Sequence, residues 1–203
     1  ICEELGYDLE IVRLDWDSLS PAVTTGQADC VIEGQSITSE RLQAVDFTVP
    51  YYYASIVTLV KKGSKYENAK SVADLAGATC TSQQSTIWYN TCLPQIQDAN
   101  ILAATANAPD MLMSLNADKC DLVVTDQPTG KGALIAYPDF KLIEFGGGEN
   151  DFQVTDEDIN IGISLKKGNT ELKEAIDSVL SKMTKEDFSK MMDEAISVQP
   201  LVN

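Results

Sequence analysis

At 203 residues, 44% hydrophobic and 23% charged, the chain is long enough for one large or two small folded domains, and its composition excludes a disordered or low-complexity protein. Its 31 acidic and 15 basic residues give a net charge of -16, a surface potential that repels phosphate backbones and anionic membrane faces and so argues against a nucleic-acid partner. No apolar run reaches the length of a membrane span; the most apolar segment, near Ser55 to Val60, is of strand length.

In chain order, Ile1 to Leu5 reads as the end of a helix closed by Gly6, where left-handed backbone is needed. The first residue is Ile1 and not Met, which fits removal of a signal peptide or anchor ahead of it. Tyr7 to Leu14 alternates apolar and charged side chains and predicts a strand. Asp17 can cap a helix running to Gly26, with Leu19, Ala22 and Val23 on its inner face, and Cys30 to Ile32 is a short buried strand. Thr38 can cap a short helix through Ala44, which places Arg41 in a first turn where exposed backbone N–H groups favour an anion. Phe47 to Tyr53 and Ser55 to Lys61 read as extended, and the polar run Lys61 to Lys70 is the best linker candidate.

From Ser71 the grammar becomes strand, loop, helix. The residues predict a short helix to Ala76, a strand at Ala78 to Thr81, a helix near Ser85 to Cys92, a strand near Ile101, a helix at Ala108 to Asn116, a strand at Leu122 to Thr125 and a helix to Tyr137. Gly146-Gly147-Gly148 marks a turn, Ile159 to Leu165 alternates as a strand, and helices at Thr170 to Met183 and Thr184 to Ile196 finish the chain. Alternating strands and helices interrupted by a linker predict two α/β lobes, and ligands of such folds bind where strand ends meet helix starts.

The chain has no histidine, which removes Ser-His-Asp and Cys-His machinery and the commonest general base and metal ligand. Its five cysteines form no CxxC pair, so neither a metal nor a cofactor is expected. Cys80 with Cys92 is the preferred disulfide, with buried thiols as the alternative.

Three strand-to-helix segments carry donors or a charge: Gly34 to Arg41, including Ser36; Ser82 to Thr86, including Ser85; and Thr125-Asp126. A zwitterion needs such groups, because its carboxylate is matched by a guanidinium and hydroxyls and its ammonium by a carboxylate. Each residue has a plainer role beside this one. Arg41 can be a surface arginine, although a helix start is a charge-mismatched place for a cation unless an anion sits there. Asp126, Ser85 and Thr86 can be helix caps, and Trp16 can be core.

The order Asp15-Trp16-Asp17-Ser18-Leu19-Ser20-Pro21-Ala22, Gly26-Gln27-Ala28-Asp29, Ile37-Thr38-Ser39-Glu40-Arg41 and Val45-Asp46-Phe47-Thr48-Val49-Pro50-Tyr51-Tyr52 resembles the polar amino-acid-binding proteins of ABC importers, solute-binding family 3. Asp74-Leu75-Ala76-Gly77, Lys119 to Asp126 and Ile161 to Asn169 are similar to the second half of the same family, so the resemblance spans the chain. It implies an α/β, type II periplasmic-binding-protein-like fold, with lobe 1 at residues 1–60 and 161–203 and lobe 2 at 61–160. It implies a non-catalytic, extracytoplasmic receptor that closes its lobes around a free amino acid and delivers it to ABC importer membrane subunits. Carried over by position, Arg41 would grip the α-carboxylate with Gly34 and Ser36, Ser85 and Thr86 beside Ser82 would complete that site, Asp126 would accept from the α-ammonium, and Trp16 would wall the pocket.

Gln83-Gln84-Ser85-Thr86 departs from the family's Gly-Thr loop, and Glu33 and Gln35 flank Gly34 unusually, where they can tune selectivity. The family also has a first strand ahead of the helix ending at Gly6; without it, the resemblance implies a fragment, or an oligomer or exchanged element that completes lobe 1. Two other functions use such lobes, the sensing domain of a receptor or kinase and a dehydratase-like enzyme.

Overall fold

The computed structural model describes residues 1–198. Its elements are α1 (Cys2–Leu5), a 3-10 turn (Trp16–Ser18), α2 (Leu19–Thr25), β1 (Cys30–Val31), a 3-10 turn (Arg41–Gln43), β2 (Val45–Phe47), β3 (Tyr52–Tyr53), β4 (Ile56–Lys61), a 3-10 turn (Val72–Leu75) and β5 (Thr79–Thr81). A π-helical turn (Trp88–Cys92) and a 3-10 turn (Leu93–Gln95) follow, then β6 (Asn100–Ile101), α3 (Ala108–Asn116), β7 (Leu122–Asp126), α4 (Gln127–Ala136), β8 (Phe140–Ile143) and a 3-10 turn (Gly148–Asn150). The chain ends on α5 (Asp156–Ile159), β9 (Asn160–Ile161), β10 (Ser164–Lys166), α6 (Thr170–Leu180) and α7 (Lys185–Val198). Two compact units divide it, Ile1–Ala54 with Thr155–Met191, and Ser55–Val154 with the segment from Met192.

In the first unit, β1, β10 and β2 form an antiparallel sheet in that order, and β3 pairs with β9. α2 lays Leu19 and Val23 against Val31, Val45 and Phe47, with Trp16 and Ile37 at the border of that cluster. The helix stops where Gly26 turns left-handed at φ 79° and returns its N–H to the Ala22 carbonyl, the C-terminal geometry that glycine adopts without strain. Ile163, Ile176 and Leu180 form a second apolar cluster between β10 and α6.

In the second unit a mixed five-stranded sheet runs β6-β5-β7-β4-β8, with β5 parallel to β6 and β7, and β4 antiparallel to β7 and β8. β4 is buried along most of its length, which explains its apolar run, interrupted by Thr58. α3 and α4 cover the sheet, placing Met111, Leu115 and Ala133 against Leu59, Val123 and Phe140. Both helices start on side-chain caps, Asn107 for α3 and Asp126 for α4, each with proline in the first turn where no N–H is missed.

Several elements depart from the expected ones. Tyr7 to Leu14 is not a strand: it has no ladder partner among the described residues, and Leu9 and Ile11 are 70% and 85% exposed. An alternating pattern makes a strand only where a neighbour takes its backbone groups. Lys61 to Lys70 is not a connector but a series of turns inside the second unit, held by Lys62 N–H on the Asp139 carbonyl and by the buried Tyr66, whose hydroxyl reaches the Ala76 carbonyl. The changes of unit fall at Ala54/Ser55 and Val154/Thr155, ahead of the expected 60/61 and 160/161, and positions 199–203 of the expected final segment lie outside the described residues. Ile159 to Leu165 is divided among the end of α5, β9 and β10, and Gly162 between the two strands lies against Ile37 and Phe47, where a side chain would collide. Asp17 lies inside the 3-10 turn Trp16–Ser18, and α2 starts behind Ser18, whose side chain makes no capping bond. The Ser85 to Cys92 helix is a turn followed by the π-helical Trp88–Cys92. The cysteines are all thiols, so the Cys80–Cys92 bridge is not formed. Burial pushes the Cys80 and Cys120 thiols up to about 11 and about 12, leaving them protonated and inert near neutral pH.

Candidate functional site

The first unit presents the segment Gly34 to Arg41, stitched to the returning chain. The Gly162 N–H donates to the Gln35 carbonyl at 3.1 Å, the Ile37 N–H to the Asn160 carbonyl at 2.8 Å, and Ser36 bridges Ile161. Gln35 turns inward, where its side-chain oxygen accepts from the buried Ser164 hydroxyl at 2.8 Å. Gln35 is thus a support for the loop and does not face a ligand.

Thr38 receives the Arg41 N–H on its hydroxyl at 3.3 Å and the Leu42 N–H on its carbonyl at 3.0 Å, starting the 3-10 turn that carries Arg41. The guanidinium folds back so that Nη1 donates to the Ser36 carbonyl at 2.9 Å, and its carbon stands 5.8 Å from the Trp16 ring centre. This brings together Trp16, Ser36 and Arg41, with Gly34 supplying the left-handed turn at φ 70° that begins the segment. Burial pulls the Arg41 pKa down, and Glu40 pushes it partly back. A desolvated guanidinium with a planar donor fork is a receptor for a carboxylate.

The second unit places the other residues on two loops. At the end of β5, the buried Ser82 hydroxyl donates to the Val124 carbonyl at 2.7 Å, tying the loop to β7. Ser82 therefore holds the loop from within the core, its hydroxyl directed to β7. Thr105 receives the Gln84 N–H and returns its own N–H to the Ser82 carbonyl, so the loop is fixed on a second side. Ser85 sits at φ 56°, a left-handed conformation that non-glycine residues seldom adopt and that concentrates at functional sites. The Thr86 hydroxyl donates to the Gln83 carbonyl at 2.7 Å and accepts from the Tyr89 N–H at 3.4 Å, which is capping geometry.

Asp126 ends β7 and begins α4. One carboxylate oxygen accepts from the Thr129 N–H at 2.7 Å. Burial raises its pKa, against the lowering effect of the Thr129 bonds. Asp126 is thus a cap and also a desolvated carboxylate for which a cation is a stabilising partner.

One contributor escaped the sequence reading. Glu157 of α5 accepts from the Ser39 N–H at 3.0 Å and from the Ser39 hydroxyl at 2.7 Å, clasping the loop two residues before Arg41. Its sequence setting, Thr155-Asp156-Glu157-Asp158, signals a capping box and hides the role of the middle acid. Among the described residues no group of three or more Cys, Asp or Glu converges to hold a metal ion, and no helix is long and apolar enough to cross a membrane.

A mixed α/β chain in two units, with a guanidinium on the 3-10 turn ahead of β2 in one and a helix-capping carboxylate at the strand-to-helix junction of the other, is a type II periplasmic-binding-protein fold. Residues 1–196 match the family of bacterial extracellular solute-binding proteins, family 3, and the chain belongs to that family. It is similar to a probable histidine-binding protein of Campylobacter jejuni, 32% identical over 73% of this chain and 57% of the relative. It is also similar to an L-arginine-binding protein of Pseudomonas aeruginosa, 27% identical over 85% of this chain and 66% of the relative. Among solved structures, an amino acid ABC transporter substrate-binding protein of Streptococcus pneumoniae bound to L-arginine is similar with a TM-score of 0.83 at 28% identity, covering 98% of this chain and 80% of that one. The chain spans a little over half the length of the first relatives it matches, 57% and 56%.

Proposed function

We propose that this chain is the amino-acid-binding part of an extracytoplasmic receptor that captures a free amino acid by closure of its two lobes and hands it to the membrane subunits of an ABC importer, without catalysis. The observation that carries the proposal is the desolvated Arg41 guanidinium, braced by the Ser36 carbonyl beside Trp16. In this reading Arg41 grips the α-carboxylate with the Gly34–Ser36 backbone, Ser85 and Thr86 add donors from their loop, Asp126 receives the α-ammonium, and Trp16 walls the side-chain pocket. The names of the relatives, which bind histidine and arginine, support an amino acid as the ligand. The open side of β1 in the first unit's sheet, with the unpaired Tyr7 to Leu14 segment, supports completion by a further strand or a second copy. Delivery to importer subunits and placement outside the cytoplasm, whether free or lipid-anchored, are part of the proposal, and membership of the family supports them.

Thermal shift against the twenty free amino acids tests it. A ligand at a hundred times its Kd stabilises by about 2.7 kcal/mol, so at least one amino acid is expected to raise the melting temperature by several degrees. Arg41→Ala is expected to remove that shift while leaving a cooperative transition. Absence of any shift overturns the proposal.

A further inference from the structure

The 3-10 turn that carries Arg41 is held at its ends and not by core packing: none of its three residues is buried, and Leu42 is 39% exposed. Its own bonds use the carbonyls of Thr38, Glu40 and Arg41, which accept from the N–H groups of Leu42, Gln43 and Ala44 at 3.0, 3.1 and 3.0 Å. The next two carbonyls, those of Leu42 and Gln43, accept from the Lys167 ammonium at 2.6 and 3.2 Å. Lys167 reaches them because β10 pairs antiparallel with β2, Lys166 opposite Val45, so the chain leaving β10 passes the chain entering β2. The Gly168 N–H fastens the same crossing by donating to the Asp46 carboxylate at 2.8 Å. Ahead of the turn, Glu157 clasps the Ser39 N–H. A carboxylate thus takes the N–H side of this segment and an ammonium its carbonyl side, each matched to the backbone groups that a short turn leaves open.

The direction of the Arg41 fork depends on the backbone beneath it. Its Nη1 is folded onto the Ser36 carbonyl at 2.9 Å, so a tilt of the turn moves the fork against Ser36 and Trp16. A bidentate grip on a carboxylate is planar and tolerates a shift of only about half an ångström. We propose that Lys167 is a positioning residue of the binding site: its ammonium, bonded to the Leu42 and Gln43 carbonyls, sets the tilt of the turn and so aims the Arg41 fork at the ligand carboxylate. The inference rests on the amino-acid reading above and adds to that site a residue of the returning chain, one that acts through Arg41. Lys167 is exposed, so water replaces part of what its ammonium gives, and the effect is a few-fold change in affinity and not a loss of the fold.

The test is calorimetric titration of the wild type, Lys167→Met and Lys167→Arg with whichever of the twenty amino acids gives the largest thermal shift on the wild type. Methionine keeps an apolar stem and loses the donor; arginine keeps a cationic donor. Lys167→Met is expected to bind roughly 3–10-fold more weakly, the effect of one partly screened charge-assisted bond, with the ligand-free melting temperature within about one degree of wild type. Lys167→Arg is expected to restore the affinity to within about twofold, which a lysine needed only for its stem would not allow. Unchanged affinity in Lys167→Met, a loss that Lys167→Arg shares, or a loss accompanied by a falling melting temperature overturns the role of Lys167 and leaves the receptor reading standing. Failure of every amino acid to bind the wild type overturns both.

Discussion

Ser39 and Glu157, 118 positions apart, are joined by the Ser39 backbone N–H at 3.0 Å and its hydroxyl at 2.7 Å, both donating to the Glu157 carboxylate. The clasp holds the Thr38–Arg41 turn against the chain that returns through α5, and these bonds keep the Glu157 carboxyl below its usual range. Because the pair is exposed, its value lies in fixing a loop and not in bulk stability. Glu157→Gln is expected to weaken ligand binding by a factor of roughly 2–10 and leave the melting temperature nearly unchanged, with faster amide exchange at residues 36–43. Calorimetry and hydrogen exchange on the same variant check both parts.

Asp126 combines two roles that one substitution separates. Asparagine retains an oxygen for the Thr129 N–H, so the cap survives, while the charge for an ammonium is lost. Asp126→Asn is expected to keep or raise the melting temperature of the ligand-free protein and to weaken amino-acid binding roughly 10–100-fold. Asp126→Ala loses the cap as well and is expected to cost about 1 kcal/mol in addition, measured by urea denaturation.

The pH dependence has a definite sign. Asp126 and Glu33 carboxyls are raised in the folded chain, so between the ordinary carboxylate range and their raised values the folded state holds more protons than the unfolded state. Their effect is a loss of ligand-free stability as pH rises through that window, levelling off above it. Asp74, Glu157 and Asp187 are lowered by hydrogen bonds; their contribution is complete above the ordinary range and fades as pH falls through their lowered values. Asp126 is the buried member, so Asp126→Asn is expected to flatten the decline within the window. Amino-acid affinity, which needs the ionised carboxylate, is expected to rise over the same interval. Melting curves and titrations across pH 3–8 follow both trends.

Gly130 of α4 lies where an added Cβ would stand 2.7 Å from Val57 Cγ2 and 2.9 Å from Leu142 Cδ1. Glycine lets the helix approach β4 and β8 closely, and the helix in turn fixes the Asp126 cap. Gly130→Ala is expected to destabilise the protein by about 1–3 kcal/mol through this overpacking, despite alanine's better helix propensity. Urea denaturation measures it, and a gain in stability would show that the contact relaxes freely.

What the sequence determines by itself is local. Asn107 and Asp126 announce α3 and α4 because a cap bonds an N–H three residues on, and Gly26 and Arg41 stand in short motifs whose geometry is set within a few positions. The tertiary structure decides what depends on distant neighbours. Tyr7 to Leu14 has strand periodicity but no partner strand, Ser82 has a hydroxyl that goes to Val124 in the core, and Lys61 to Lys70 has linker composition but folds into the second unit. Glu157 looks like one acid among three until Ser39 meets it from the other side of the first unit's sequence. Side-chain type and spacing encode bonds closed within about four residues. A ladder, a buried hydroxyl or a clasp between remote segments exists only when folding brings its second half into reach.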